Sequence, residues 1–150
     1  MIICGYPGIG KSSIAGENGC IDLESCNFWV DGRRDPDWAE VYCNIAHDLS
    51  EQGYTVFVSS HMLVQEELKK YKDEVFVVFP ALDLKEQWIE RTKKRFEADD
   101  STKNLRALEN VRKYYEDNIK DMMSSGLSYY EISHIDYDLR DVVKHLKGED

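Results

Sequence analysis

The sequence predicts an α/β fold, a five-stranded parallel sheet flanked by helices, in a single domain over residues 1–150. Three observations carry this. Short β-branched and apolar runs alternate with stretches of helical periodicity along the whole chain, and that alternation implies parallel strands covered on both faces. The 150 residues suit one domain. A hydrophobic content of 42%, with three Trp, five Phe and nine Tyr, can furnish one core and excludes a disordered chain. No repeat, low-complexity stretch or interdomain linker interrupts the pattern.

Residues 1–4, Met-Ile-Ile-Cys, form an apolar run suited to a buried strand, and residues 20–23 form a second. Between 37 and 52, Trp38, Val41, Tyr42, Ile45 and Leu49 recur at three- and four-residue steps, which predicts a helix with Gly53 as its stop. Tyr-Thr-Val-Phe-Val-Ser at 54–59 is the strongest strand signal and the one expected at the centre of the sheet. A short polar helix is expected over 63–71, then a strand over 74–79 closed by Pro80. Asp83 opens the next helix, with Glu86 three residues on in capping-box spacing and Leu84, Trp88, Ile89 and Phe96 as its apolar side. Residues 98–102 separate it from a long helix over 104–123. Ser128–Ile132 reads as the last strand and Leu139–Leu146 as the last helix, before a polar tail at 148–150.

The 19 Lys and Arg stand against 29 Asp and Glu, a formal charge of −10. Nucleic-acid scaffolds want basic stripes that neutralise phosphates, so this balance disfavours one. One small anionic ligand remains compatible, because a pocket can be positive on an acidic protein. No run approaches the ~18 apolar residues of a membrane span, and the first residues lack the charged-then-apolar pattern of a secretory signal. Cysteines at 4, 20, 26 and 43 are 16, 6 and 17 residues apart, which matches no zinc or redox spacing. Reduced thiols in a cytoplasmic protein are expected, with Cys4 packed in the core.

Gly5-Tyr6-Pro7-Gly8-Ile9-Gly10-Lys11-Ser12 satisfies G-x-x-x-x-G-K-[ST], the phosphate-cradling P-loop, and Ser13 extends the candidate binding run. Glycines let successive backbone N–H groups turn inward around a phosphate without side chains in the way. Lys11 is placed to reach β- and γ-phosphates and Ser12 to ligate Mg2+, and a helix starting near Lys11 would add its positive end. The motif follows a strand candidate and precedes a helix candidate, the context its mechanism needs. A GTPase would also carry Asn-Lys-x-Asp and Asp-x-x-Gly, and neither is present. An AAA-type motor would end a strand in Asp-Glu, whereas the run 54–59 leads into Ser59-Ser60-His61.

A metal-side carboxylate must therefore come from elsewhere, and Asp22 is the candidate. In Ile21-Asp22-Leu23-Glu24-Ser25, Asp22 and Glu24 share one side of a strand. A carboxylate there can hold a Mg2+-bound water or accept a proton from an attacking hydroxyl. A solvated strand end is the plainer alternative. Leu84, Trp88, Arg91 and Arg95 step by four, three and four along one helical line, so its cationic half can clamp phosphate oxygens. The alternative is a solvated basic terminus, with Lys93 and Lys94 beside the arginines. Arg106 and Arg112 are secondary candidates, Arg112 through its seven-residue spacing from Leu105. Ser59, Ser60 and His61 lie at a strand tip, where open α/β sheets bind ligands, although a lone His is often a structural hydrogen-bonder.

On these residues the chain resembles the small P-loop phosphotransferases: nucleoside monophosphate kinases, shikimate kinase and their relatives, and closest the short kinase-like proteins of bacteria and their phages. The resemblance covers nearly the whole chain in element order. Its specific part is Gly5-Tyr-Pro-Gly-Ile-Gly-Lys11-Ser12, similar to the Gly-x-Pro-Gly-x-Gly-Lys form of those kinases. It implies an adenylate kinase-like P-loop NTPase fold, with Asp22-Leu23-Glu24 where shikimate-kinase-like members carry Asp-x-Asp. It implies that Arg91 and Arg95 belong to a short lid around 91–106 and that residues 134–138 line the adenine. It also implies a phosphate-acceptor pocket in the stretch from Phe28 to Trp38, where aromatics stack a base and Arg33 or Arg34 holds its monophosphate. The alternative there is that Phe28, Trp29 and Trp38 anchor a loop to the core. The chain departs from the family in the ten residues between Lys11 and Asp22, which force an unusually short first helix.

The expected function is ATP- and Mg2+-dependent phosphoryl transfer to a small acceptor, a (deoxy)nucleoside monophosphate, by positioning and charge neutralisation. Alternatives are a kinase of another small hydroxyl compound or of a nucleic-acid 5′ end, the last disfavoured by the acidic balance. From a different class, a nucleotide-binding regulatory module without turnover would account for the missing acid at the tip of 54–59 and the short first helix.

Overall fold

The computed structural model describes residues 1–29, 32–72 and 74–149, and of Cys26 only the backbone. Val30 and Asp31 of the expected acceptor stretch, the Cys26 thiol and Asp150 of the tail lie outside the described residues. The architecture is α/β, with a five-stranded all-parallel sheet in the order β2-β3-β1-β4-β5. The strands are β1 (Ile2–Gly5), β2 (Cys20–Asp22), β3 (Thr55–Ser59), β4 (Val75–Pro80) and β5 (Ser128–Ile132). The helices are α1 (Lys11–Ile14), α2 (Trp38–Glu51), α3 (Met62–Leu68), α4 (Lys85–Ala98), α5 (Thr102–Met123) and α6 (Leu139–Leu146).

The middle strand is β1, not the 54–59 run. Ile2, Ile3, Cys4 and Gly5 offer no polar side chain to either face and are all buried, as a strand covered on both sides requires. β3 lies one place off centre, with Thr55 through Val58 buried. β5 is an edge strand, and of its residues Ile132 alone is buried. The Cys4, Cys20 and Cys43 thiols are free and buried, and burial pushes the Cys4 thiol up to about 12. No helix among the described residues is long and apolar enough to cross a membrane.

Three helix details differ from the expectation. On α2 the buried face is Trp38, Ala39, Tyr42, Cys43 and Ala46, while Val41 and Ile45 are 43% and 37% exposed. The face is turned by about one residue, so that the small Ala39, Cys43 and Ala46 are buried beside Trp38 and Tyr42. The Asp83–Glu86 capping box does not form. Instead a 3-10 turn, Leu82–Leu84, precedes α4, its Leu84 N–H donating to the Ala81 carbonyl at 3.0 Å while the Leu84 side chain is buried. On α5 the buried line is Asn104, Leu108, Val111, Tyr115, Ile119 and Met122, so Leu105 faces out. Arg112, placed by its spacing from Leu105, is exposed, as is Arg106.

The topology fixes where a ligand can sit. β1 connects to β2 on one side, while its neighbour β4 connects to β5 on the other. The chain thus leaves adjacent carboxyl ends in opposite directions, which opens a crevice beyond the end of β1.

Candidate functional site

The glycine loop fills that crevice. α1 is a single turn, and Gly16 N–H donates to the Cys20 carbonyl at 2.8 Å as the chain turns straight into β2. The ten-residue spacing thus has the predicted consequence. A helix this short contributes little dipole, so any anion must be held by N–H groups and side chains instead. Gly8 and Gly10 sit at φ 90° and 106°, which L side chains rarely adopt. A Cβ on Gly5 would come within 2.4 Å of Ile9 Cδ1 and 3.4 Å of Lys11 Cδ, so glycine there lets the Lys11 stem cross the strand end.

Three consecutive loop carbonyls accept side-chain hydrogen bonds. Trp88 Nε1 donates to Pro7 O at 3.0 Å, Arg91 Nε to Gly8 O at 2.9 Å, and the Tyr137 hydroxyl to Ile9 O at 2.5 Å. Burial pushes the Tyr137 hydroxyl up to about 12, which keeps it an O–H donor. The N–H groups of Gly8, Gly10, Lys11 and Ser12 donate to no backbone carbonyl among the described residues. Tyr6 and Ile9 belong to the loop by backbone alone. Both side chains are buried, Tyr6 edge-on to Trp88 and Tyr115, so neither faces a ligand.

Above the loop lies a cleft of about 430 Å³. Its lining takes Gly5, Pro7, Gly8 and Gly10 through Ser13 from the loop and α1, Asp22 through Ser25 after β2, Ser59 and Ser60 after β3, Arg91 and Arg95 from α4, and Lys103, Asn104 and Ala107 from α5. Four cations, Lys11, Arg91, Arg95 and Lys103, meet two carboxylates, Asp22 and Glu24. The cleft is therefore locally cationic on a chain of net charge −10. Arg95 and Lys103 arrive together because the α4–α5 corner is tied: Ser101 Oγ accepts from Asn104 N–H at 3.3 Å, and Asn104 Nδ2 donates to Asp99 O at 2.8 Å. Lys103 Nζ lies 2.9 Å from Glu24 Oε2 across the cleft.

Arg91 is docked on the loop through its bond to the Gly8 carbonyl. Its guanidinium lies 5.1 Å from the Trp88 ring centroid and 5.4 Å from that of Tyr137. Arg95 is exposed, with Nη1 3.6 Å from where a Gly8 Cβ would stand.

Lys11 and Asp22 shape each other's charge. Burial lowers the Lys11 ammonium and the Asp22 carboxylate opposes that; burial raises Asp22 and Lys11 opposes that. The result is a lysine and a carboxylate each shifted toward neutrality. Tyr42 holds the carboxylate's platform: its hydroxyl donates to the Leu23 carbonyl and accepts from Ser59 N–H at 2.9 Å, joining the ends of β2 and β3. The hard oxygens in this cleft, Ser12 Oγ and the Asp22 carboxylate, suit a small divalent cation that completes its shell with phosphate and water.

Other expected site residues lie elsewhere. Phe28 packs against Trp38 and Tyr42 at centroid distances of 6.5 and 5.3 Å, the core-anchor alternative. Arg34 is laid over Trp38 and Trp29, 4.2 and 4.7 Å from their centroids, and donates to the Ser25 carbonyl at 3.3 Å. Arg33 is exposed outside the cleft lining. His61 caps α3, its Nδ1 accepting from Leu63 N–H at 3.1 Å, and burial and Arg34 lower its pKa. None of residues 134–138 lines the cleft, and Tyr137 is occupied with Ile9.

Lys103, Asn104 and the carbonyl-binding roles of Trp88 and Tyr137 escaped the sequence reading. Lys103 sits in the first turn of a helix, one position before the buried Asn104, and resembles any surface lysine until α5 is placed against α4. Scanned against protein-family models and curated proteins, the chain matches none.

Proposed function

We propose that the protein is a P-loop kinase of the nucleoside monophosphate kinase and shikimate kinase-like group, transferring the γ-phosphoryl group of ATP, with Mg2+, to a small acceptor held over Asp22. One observation carries the reading: Lys11, a half-buried carboxylate and the loop residues Gly8 and Gly10, whose N–H groups have no backbone acceptor among the described residues, line one cationic cleft. N–H groups and Lys11 suit the β- and γ-phosphates, and Arg95 suits the charge that spreads over the transferring group. Ser12 would hold Mg2+ directly and Asp22 would hold it through a bound water, and the ion would neutralise phosphate charge. Asp22, its carboxyl raised by burial, is the better base for it. The acceptor O–H gives its proton to Asp22, its oxygen bonds the γ-phosphorus, the bridge to the β-phosphate breaks, and ADP leaves.

The acceptor expected from the sequence is a (deoxy)nucleoside monophosphate. A specific observation favours a small hydroxyl compound instead. No aromatic ring lines the cleft among the described residues, Phe28 being packed on Trp38 and Tyr42, whereas a carboxylate suited to a hydroxyl proton does.

ATP consumption measured with nucleoside monophosphates, polyols and hydroxy acids decides. ADP release that depends on one acceptor class and is lost in Asp22→Asn is the expected result. ATP binding without turnover across the panel would favour a regulatory module, and no ATP binding would end the reading.

A further inference from the structure

We propose that Trp88 and Tyr137 are positioning residues for the phosphate site: by holding the Pro7 and Ile9 carbonyls they aim the Gly8 and Gly10 N–H groups into the cleft. This rests on the reading of the cleft as a phosphate site. The argument starts from the peptide bond, whose C=O and N–H point in opposite directions in the trans form. No cis bond occurs among the described residues. A donor that fixes the carbonyl of residue i therefore also fixes the direction of the N–H of residue i+1. Trp88 on Pro7 O sets the Gly8 N–H, and Tyr137 on Ile9 O sets the Gly10 N–H. These two N–H groups are among those without a backbone acceptor. Arg91 on Gly8 O sets the Ile9 N–H, which donates to Tyr6 O at 3.3 Å and so only braces the loop.

The anchoring is needed where it is found. Glycines at φ 90° and 106° leave the adjoining peptide planes cheap to rotate. A loop that must order itself on binding loses part of its affinity to that ordering. The two anchors also hold each other: the Trp88 and Tyr137 rings stack at 10° with centroids 6.2 Å apart, under the Arg91 guanidinium. Trp88 comes from α4 and Tyr137 from the segment between β5 and α6, so the cradle is aimed by two remote parts of the chain.

Tyr137→Phe keeps the ring and its stack and removes only the hydroxyl. Inorganic pyrophosphate and Mg·ATP, each titrated calorimetrically into the parent and the variant, should both bind about five- to tenfold more weakly, by the same factor, since one hydrogen bond to the cradle is lost. The Gly10 amide resonance should shift in the free variant while the rest of the spectrum is kept. Trp88→Phe should act likewise through the Gly8 amide; if it does not fold, Tyr137→Phe decides alone. Pyrophosphate and ATP binding within twofold of the parent would overturn the proposal. So would a loss for ATP with pyrophosphate unchanged, which would put Tyr137 on the nucleoside. A parent that binds neither probe would refute the phosphate reading, and the proposal with it.

Discussion

Alanine at Gly8 and at Gly16 makes a matched pair that separates backbone strain from damage to the glycine loop. The two residues have nearly equal φ, 90° and 88°. A Cβ on Gly16 meets nothing within 4 Å, so Gly16→Ala carries backbone strain alone. That strain is about 1–2 kcal/mol, offset by about 0.5 kcal/mol from the reduced entropy of the unfolded chain. A Cβ on Gly8 stands 3.3 Å from Trp88 Nε1, so the indole must give by a few tenths of an ångström, which loosens its hydrogen bond to the Pro7 carbonyl. Trp88 is fully buried and has little room to do so. Crowding the buried indole and weakening its hydrogen bond add up to about 1 kcal/mol, giving net losses of about 1 kcal/mol for Gly16→Ala and about 2 kcal/mol for Gly8→Ala. For a domain of this size about 1 kcal/mol corresponds to roughly 2–4 °C in Tm. Thermal unfolding should therefore drop by about 3 °C for Gly16→Ala and 6 °C for Gly8→Ala. Calorimetric titration should show weakened Mg·ATP binding in Gly8→Ala alone. Equal melting shifts, or parent-like ATP binding in Gly8→Ala, would refute the reasoning.

Asp22→Asn should cut turnover far more than ATP affinity, with Glu24→Gln in parallel showing which carboxylate matters; equal kinetics for parent and Asp22→Asn would return Asp22 to a solvated strand end. The same variant has a stability signature. Burial holds the folded-state pKa of Asp22 above its ordinary value of 3.8, so the folded state binds the proton more tightly and the parent loses stability as pH rises from 3.8 through the folded value. Asp22→Asn should thus melt higher than the parent at pH 7 without ligand and converge with it below pH 3.8, and a lower melting point at pH 7 would contradict the assignment. Arg95→Ala should lower kcat by about 10³-fold with ATP affinity little changed, by the size of arginine-finger effects; turnover within twofold of the parent would remove Arg95 from the chemistry.

The parallel order of elements was legible because each strand or helix carries its own local signal: Ile-Ile-Cys-Gly, Thr-Val-Phe-Val-Ser, and the α6 bounds at Leu139–Leu146. The loop was legible because positive φ at Gly8 and Gly10 and the close approach at Gly5 each demand glycine, leaving a fixed spacing in the sequence. What was not legible depends on how elements meet. Val41 and Ile45 belong to the apolar repeat that marks α2 in the sequence, yet they lie off its buried face, which runs through Trp38, Ala39, Tyr42, Cys43 and Ala46. Arg112 was misplaced with Leu105, which the buried line through Asn104 and Leu108 turns outward. Arg91 reads as a clamp for ligand phosphates; the structure adds a bond from its Nε to the Gly8 carbonyl while the residue lines the cleft. Lys103 and Tyr137 carry no motif, and their placement follows from the α4–α5 corner and from the segment before α6.

The central claim is that the cleft over the glycine loop binds the phosphates of ATP through Lys11. The most direct measurement is calorimetric titration of Mg·ATP into the parent and into Lys11→Ala, with the circular dichroism spectrum of each as the control for folding. The account predicts one site on the parent, and for the folded variant an affinity lowered by at least tenfold, since a charge-assisted contact to phosphate is worth about 1.5–3 kcal/mol. A folded Lys11→Ala that binds Mg·ATP as tightly as the parent, or a parent that binds none, would contradict it.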